Sequence, residues 1–297
     1  MNRTYPQRFQ QVRKVKRCRY PDRRDILGRG RKGGAETAGR RLLALDVDGT
    51  LLRSDNTLSR RNAAAVISAR NLGWHVLLAT GKPPWAIRTL AARLSLTGTH
   101  IVANGSALWT QADGTEVLAR IPDAGVRTSL AYAARYCIPR AVSGPRGVFT
   151  QATWGVPALT AALHEVGEDA PTVVPDAVAA EPDPWKVILI QRTDQRHPPV
   201  PAVEGGQWVR TGPAFHETLP AGSSKGTAMR LLCQRLGIAR EDVIAFGDSE
   251  NDIDLLQWAG TGIAMAHAPQ AVRGAAAATT AGNDEDGVAQ ALEPLLD

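Results

Sequence analysis

The chain has 297 residues, 43% of them hydrophobic, and a net charge of +6, enough to bury a real core in one large domain or two ordinary ones. No apolar run reaches the roughly 18 residues that a membrane span needs, and the N-terminus lacks the apolar stretch of a secretory signal. Three scattered cysteines, Cys18, Cys137 and Cys233, without Cys-x-x-Cys spacing, exclude a disulfide framework or a structural zinc site and point to a soluble protein of a reducing cytoplasm.

The charge is unevenly placed. Residues 1–40 carry 13 Lys/Arg against 3 Asp/Glu, a net of +10, which leaves the rest of the chain at −4. This stretch has few aliphatics and neither helical nor alternating periodicity, so it reads as a disordered basic arm. Such an arm could bind nucleic acid or another phosphate polymer, although a solvated tail is the commoner outcome of a charge run. Gly28-x-Gly30-x-x-Gly33 has the spacing of a dinucleotide-binding loop, yet no strand precedes it and no amphipathic helix follows, and a pyrophosphate site requires both.

From Arg41 the pattern becomes apolar strands alternating with amphipathic helices. Leu42–Asp46 is predicted as a strand, followed by a helix over 59–72 that starts at a Ser59 cap. His75–Ala79 is a second strand ending at Thr80-Gly81, with Pro83 and Pro84 marking the start of a helix. Ile101–Ala103 is a third short strand ending at Asn104-Gly105, and a hairpin follows near Trp109–Val117. Far downstream, Ser224-Lys225-Gly226 opens a helix over 227–236, and Asp242–Phe246 is a strand ending in Gly247-Asp248. Continuous apolar strands joined by helical crossovers predict an α/β fold: a Rossmann-like, doubly wound parallel sheet covered on both faces.

In such sheets ligands collect at the carboxyl ends of the strands. Asp46, Asp48, Thr80, Asn104 and Asp248 all fall just past predicted strand ends, so one fold gathers them on one rim. Three carboxylates there repel unless a cation sits among them, and an all-oxygen donor set without imidazole or thiolate suits Mg²⁺. Lys225 adds a fixed positive charge at a helix start, and the backbone near Gly49 and Gly81 offers N–H groups to an anion. The anion that matches Mg²⁺, lysine and hydroxyl donors is a phosphoryl group. Two alternatives fail: no G-x-x-x-x-G-K-[ST] loop is present, and Gly49 is misplaced for a calcium-binding EF-hand loop.

The series Asp46-Val-Asp48-Gly-Thr, Ala79-Thr80-Gly81-Lys82, Ala103-Asn104-Gly105, Ser224-Lys225-Gly226 and Gly247-Asp248-Ser-Glu-Asn251-Asp252 resembles the haloacid dehalogenase-like hydrolase superfamily. More narrowly, it resembles the Cof-type phosphatases with a large α/β cap of the C2 type, and the resemblance covers residues 41–297. Each motif is weak alone, but five in this order form a specific signal. The chain departs from the family pattern at Lys82, where Arg is usual, at Ser106, where Ala is usual, and at His267, where Asn is common. The resemblance implies a Mg²⁺-dependent phosphatase in which Asp46 forms an aspartyl-phosphate and Asp48 is the proton donor and acceptor. It also implies that Thr80, Gly81, Lys225 and Asn251 hold the phosphate, and that Asp46, the main-chain carbonyl of Asp48 and Asp248 hold the metal. By the same resemblance Asp252 orients Lys225, and Asn104 supports the site from behind.

Spacing locates the element that reads the substrate. Asp48 and Thr80 are separated by one crossover, whereas roughly 100 residues separate the hairpin from Lys225, the size of a separate domain. The expected organisation is a core of residues 41–118 and 218–297 with an α/β cap at 119–217. The cap has helices near 124–136 and 158–166 and strands at Gly147–Thr150, Lys186–Ile190 and Gln207–Arg210. Trp154, Trp185, Lys186 and His216 are its candidate substrate contacts. The predicted partner is a small phosphorylated metabolite such as a sugar phosphate, nucleotide or phosphorylated cofactor. A phosphomutase using the same residues and a nucleic-acid-binding protein led by the basic arm are the alternative readings.

Overall fold

The computed structural model describes residues 41–151, 155–165, 169–190, 199–211 and 215–296. The basic arm of residues 1–40 and the candidate substrate contact Trp154 lie outside these residues. Among them, no helix is long and apolar enough to cross a membrane.

The described residues form fourteen strands in chain order. The first five are β1 (Leu42–Leu45), β2 (His75–Leu78), β3 (His100–Val102), β4 (Ala107–Thr110) and β5 (Gly114–Val117). Six more lie between residues 140 and 220: β6 (Arg140–Gly144), β7 (Gly147–Thr150), β8 (Thr172–Val173), β9 (Lys186–Ile190), β10 (Gly206–Arg210) and β11 (Phe215–Pro220). The chain then returns through β12 (Val243–Gly247), β13 (Thr261–Ala264) and β14 (Ala278–Thr279). The first sheet has the order β14-β13-β12-β1-β2 and is parallel throughout.

Period-2 alternation distributes the side chains of this sheet onto two cores. Leu43, Leu45, Val76, Leu78, Ile244 and Phe246 point to one face, where Val66, Ile87 and Leu292 from the helices Arg60–Asn71, Pro84–Arg93 and Gly287–Leu296 cover them. Leu42, Ala44, Leu77, Val243 and Ala245 point to the other, under Met229, Leu255 and Val272 from the helices Lys225–Leu236, Ile253–Trp258 and Gln270–Ala275. All four residues of β1 are fully buried, and each buried leucine contributes about 1.5–3 kcal/mol relative to exposure. Both faces being covered is why β1 reads as a continuous apolar run.

Caps fix where the helices begin. Ser59 Oγ accepts from Asn62 N–H at 3.0 Å, the cap expected from the sequence. Asn62 itself is buried. Its Nδ2 donates to Leu51 O at 3.2 Å, and its Oδ1 accepts from Ala289 N–H at 3.0 Å, so one polar side chain ties the first and last helices to the turn after β1.

The expected third strand is present and runs parallel to the end of β2 through a bridge between Ala79 and Ile101, but it also pairs onward in a way that the sequence reading did not give. β3 pairs antiparallel with β4, and β4 with β5, in a three-stranded sheet. The cause is local: Ala103, Asn104 and Gly105 all have positive φ, at 49°, 55° and 85°. They reverse the chain at once, so that Ala103 belongs to the turn and not to the strand.

The insert holds the third sheet, in the order β10-β11-β9-β6-β7-β8 and antiparallel except where β8 joins β7. The helices Asp123–Arg135 and Ala177–Ala180 pack on one face through Val126, Ala133 and Val178, and Leu159 and Leu163 of Val156–Glu165 pack on the other. The predicted strands at 147–150, 186–190 and 207–210 are present. Two strands central to the sheet, β6 and β11, are not read from sequence, because Pro139, Gly144 and Pro145 make the first resemble a turn and the second is half polar. β11 runs through residue 217, where the sequence reading ended the insert.

Candidate active site

Each rim residue is placed by the strand before it. Asp46 follows β1 directly, its N–H donating to Phe246 O at 3.1 Å, so the backbone pairing of β1 with β12 aims the carboxylate beyond the sheet edge. The turn that follows requires glycine: Gly49 has φ +73°, and a Cβ there would stand 2.5 Å from Asp248 Oδ2.

Lys225 is the first residue of the helix Lys225–Leu236, whose N-cap is Ser224, with its Oγ accepting from Thr227 N–H at 3.1 Å. Its side chain is 1% exposed, and its Nζ donates to Asp46 Oδ1 and Asp252 Oδ1, both at 2.6 Å. Asp252 Oδ2 in turn accepts from the N–H groups of Asp248 and Ser249 at 3.1 and 3.0 Å. Asp252 is therefore anchored by two amides while it holds the ammonium. Asp248 Oδ1 accepts from Thr50 Oγ1 at 2.8 Å and Oδ2 from Ser249 Oγ at 3.2 Å, with His267 Nε2 3.7 Å away.

Charge sets the protonation of the group. Burial, reinforced by Asp252 and opposed by Lys225, pushes the Asp46 carboxyl well above the usual carboxylate range. Burial alone would lower Lys225, but Asp252 and Asp46 outweigh it and hold the ammonium above the ordinary lysine value. Asp248 lies below the usual range, since the nearby His267 imidazole and the hydrogen bond from Thr50 outweigh the cost of its burial. Burial raises Asp48 despite the neighbouring Lys82 ammonium.

Carboxylate oxygens of Asp46, Asp248 and Asp252 lie within 4.8 Å of one another. An oxygen-only cluster carrying more negative charge than Lys225 offsets fits a hard divalent cation. Within this cluster Asp252 is the carboxylate fixed by both the Lys225 ammonium and two backbone amides, whereas Asp248 is held by two hydroxyl groups, which can turn away from an oxygen that binds a metal. The Asp48 side chain is not part of the cluster. It turns to Lys82 Nζ at 3.1 Å and is 40% exposed.

Thr80 and Gly81 follow β2. Thr80 N–H donates to Ile101 O at 3.0 Å, and Thr80 Oγ1 accepts from Lys82 N–H at 3.1 Å. Asn104, in the positive-φ turn, accepts at Oδ1 from Asn251 Nδ2 at 2.8 Å. Asp46, Asp48, Thr80, Gly81, Lys82, Asn104, Ser249 and Asn251 line a cavity of about 80 Å³. Lys225, Asp248 and Asp252 do not line it, and Lys225 and Asp252 are buried.

The insert closes the cavity from above with Lys186, Thr211, Phe215 and Glu217. Of the three candidate contacts from the insert that lie among the described residues, Lys186 lines it and Trp185 and His216 do not. Trp185 is fully buried, donates from Nε1 to Ser143 Oγ at 3.1 Å and packs 6.2 Å from Trp85. It belongs to the packing between the insert and the parallel-sheet core. His216 sits between two lining residues, on the alternate side of β11. Thr211, Phe215, Glu217 and Ser249 are the lining residues that sequence reasoning missed. For Phe215 and Glu217 the signal exists, as an i, i+2 pair, but it is usable only once β11 is recognised as a strand.

Comparison with known proteins agrees with this geometry. The family model described as haloacid dehalogenase-like hydrolase matches residues 43–292. Phosphoglycolate phosphatase of Natronomonas pharaonis is 31% identical over 86% of this chain and 97% of its own length. The 5-amino-6-(5-phospho-D-ribitylamino)uracil phosphatase YitU of Bacillus subtilis is 27% identical over 85% of this chain and 96% of its own. The crystal structure of a haloacid dehalogenase-like hydrolase from Bacteroides thetaiotaomicron superposes with a TM-score of 0.73 at 25% identity, covering 86% of this chain and 98% of that one.

Proposed function

The chain belongs to the haloacid dehalogenase-like hydrolase family, and from that premise we propose that it is a Mg²⁺-dependent phosphatase acting on small phosphate monoesters through an aspartyl-phosphate. The observation that carries this reading is Lys225 Nζ placed 2.6 Å from both Asp46 Oδ1 and Asp252 Oδ1, with Asp46 lining the cavity. A buried lysine held by one anchored acid and aimed at a second is suited to keep the second deprotonated and to neutralise the oxygens of a transferring phosphoryl group.

Asp46 is the nucleophile: its carboxylate oxygen bonds to phosphorus as the bond from phosphorus to the ester oxygen breaks. Asp48 gives its proton to that departing oxygen, a role suited to a carboxyl that burial raises and the cavity exposes. Water then attacks the phosphorus of the aspartyl-phosphate, Asp48 takes the proton, and Asp46 and inorganic phosphate are released. Thr80, Gly81 and Asn251 hold the phosphoryl oxygens, and Asp252 keeps Lys225 in place. Asp46, Asp248 and the main-chain carbonyl of Asp48 would hold Mg²⁺, which when bound would supply positive charge to offset that of the nucleophile and the phosphoryl group. The insert excludes water and meets the leaving group through Lys186, Thr211, Phe215 and Glu217.

The test is phosphate release from a panel of sugar phosphates, nucleotides and phosphorylated cofactors, with and without Mg²⁺. Release that needs Mg²⁺ and disappears in Asp46→Asn is expected. Substantial release by Asp46→Asn removes Asp46 from the nucleophile role.

A further inference from the structure

The insert and the rim are joined above the cavity by a chain of polar side chains with a fixed direction. Lys186 and Glu217, 2% and 4% exposed, form an ion pair between Nζ and Oε1 at 3.2 Å, and Lys186 Nζ also donates to Gly81 O at 3.3 Å. The other oxygen, Glu217 Oε2, accepts from Asn104 Nδ2 at 3.0 Å, and Asn104 Oδ1 accepts from Asn251 Nδ2 at 2.8 Å. A buried ion pair is a poor source of stability, because desolvation offsets most of its attraction. Its place between the two halves of the site points to a different use.

A carboxylate only accepts hydrogen bonds, whereas an amide can present either end. Glu217 at the head of the chain therefore forces Asn104 to turn Nδ2 toward it and Oδ1 away. That in turn forces Asn251 to offer Nδ2 to Asn104. The end of the chain carries the consequence: Asn251, which lines the cavity, spends one Nδ2 hydrogen on Asn104 and has the second as the group from which a phosphoryl oxygen can accept, while its Oδ1, buried without a hydrogen-bond partner, can only accept and is kept away from the phosphoryl oxygens. Asn104 cannot relieve the constraint by moving. Its φ is +55°, and its amide lies so close to Gly81 that a Cβ there would meet Oδ1 at 3.0 Å. The neighbouring Gly105 is equally confined, a Cβ there standing 2.0 Å from Ser224 O.

We infer that Glu217, held by Lys186, is a positioning residue that sets the direction of the Asn104–Asn251 amide pair, so that Asn251 meets the transferring phosphoryl group in a single orientation. This inference rests on the phosphatase reading above. It makes the insert a contributor to phosphate binding as well as to leaving-group recognition, through a residue that need not touch phosphate.

The test uses the full chain with Mg²⁺ and inorganic phosphate, a ligand with no leaving group, titrated calorimetrically against wild type, Glu217→Gln, Asn251→Ala and the double variant. A glutamine in place of Glu217 would no longer dictate the direction of the pair, so each single substitution is expected to weaken phosphate binding about tenfold, the scale of one hydrogen bond. The double variant is expected to be no weaker than the weaker single, because Glu217 acts through Asn251. Multiplying effects, or wild-type phosphate affinity in Glu217→Gln with only KM for the ester altered, overturns the inference and leaves Glu217 as a leaving-group contact. Loss of melting temperature at unchanged phosphate affinity also overturns it, as a purely structural role. Should Glu217→Gln not fold, wild type alone decides by ¹⁵N resonances: the Asn104 and Asn251 side-chain amides should be protected from exchange and shift together on adding phosphate. Free exchange or independent shifts overturn the inference. Absence of phosphate binding by wild type overturns the phosphatase reading itself, a separable outcome.

Discussion

The parallel sheet and the inserted sheet supply the cavity in opposite ways. In the parallel sheet the chemistry-bearing residues stand beyond the strand ends: Asp46 after β1, Thr80 after β2 and Asp248 after β12. They cost the strands nothing, and glycines beside them let the backbone turn. In the inserted sheet, Lys186 opens β9 and Phe215 and Glu217 lie within β11. They reach the cavity only because alternate residues of a strand share a face. A rim can keep its reacting groups while strand faces are repacked, so on the proposed function the parallel sheet would carry the chemistry and the inserted sheet the contacts to the rest of the substrate.

Substitutions that separate the two sheets sharpen this contrast, and the largest effects belong to the rim. Asp48→Asn removes the proton donor and should lower kcat by about 10²- to 10⁴-fold while inorganic phosphate still binds; retention of near-normal kcat would break the assignment. Lys225→Met leaves Asp46 and Asp252 buried without their cation, and should cost about 3–5 kcal/mol of stability in denaturant unfolding along with turnover. Stability equal to wild type would show that the carboxylates do not depend on Lys225.

A smaller effect, in stability alone, is expected where the three-stranded sheet meets the parallel one. His100 is buried with Nδ1 accepting from Leu78 N–H at 3.1 Å, and burial lowers its pKa to about 4. The folded state therefore resists protonation more than the unfolded one. Its contribution is fully present above about pH 6.5 and is lost as pH falls toward about 4, a span worth about 3 kcal/mol. Unfolding measured between these pH values should show that slope, and His100→Gln should flatten it; an unchanged slope would assign acid sensitivity elsewhere. The smallest effect is expected in the insert. Phe215→Ala should change KM for bulky esters by about tenfold or less, the range of a lost apolar contact, with kcat for a small ester preserved. A large fall in kcat for every ester would erase the division between the two sheets.

The same contrast explains what the sequence discloses. An apolar run ending in a carboxylate is visible in one dimension, so Asp46, Asp248 and the strands before them can be read directly, as can Ser59 as a cap. Asn62 looks like any polar helix residue, and its bonds to Leu51 and Ala289 span up to 227 positions. β3 reads only as one more parallel strand, because nothing before Asn104 signals the reversal that three positive φ values impose. Phe215-His216-Glu217-Thr218 has three polar residues out of four and begins two positions after Pro213, so its pairing with β9 emerges only from the fold. Without that pairing Glu217 has no apparent address. Trp185 attracts notice as an aromatic near Lys186, yet its ring serves packing.

Rapid-quench analysis of a single turnover with a ³²P-labelled ester addresses the central claim most directly. With p-nitrophenyl phosphate as that ester, whose leaving group departs without a proton, the Asp48→Asn enzyme still forms its intermediate but is slow to hydrolyse it; it should carry acid-stable, hydroxylamine-labile label, and peptide mapping should place that label on Asp46. Turnover to inorganic phosphate without label on the protein at any time, or label on a residue other than Asp46, would contradict it.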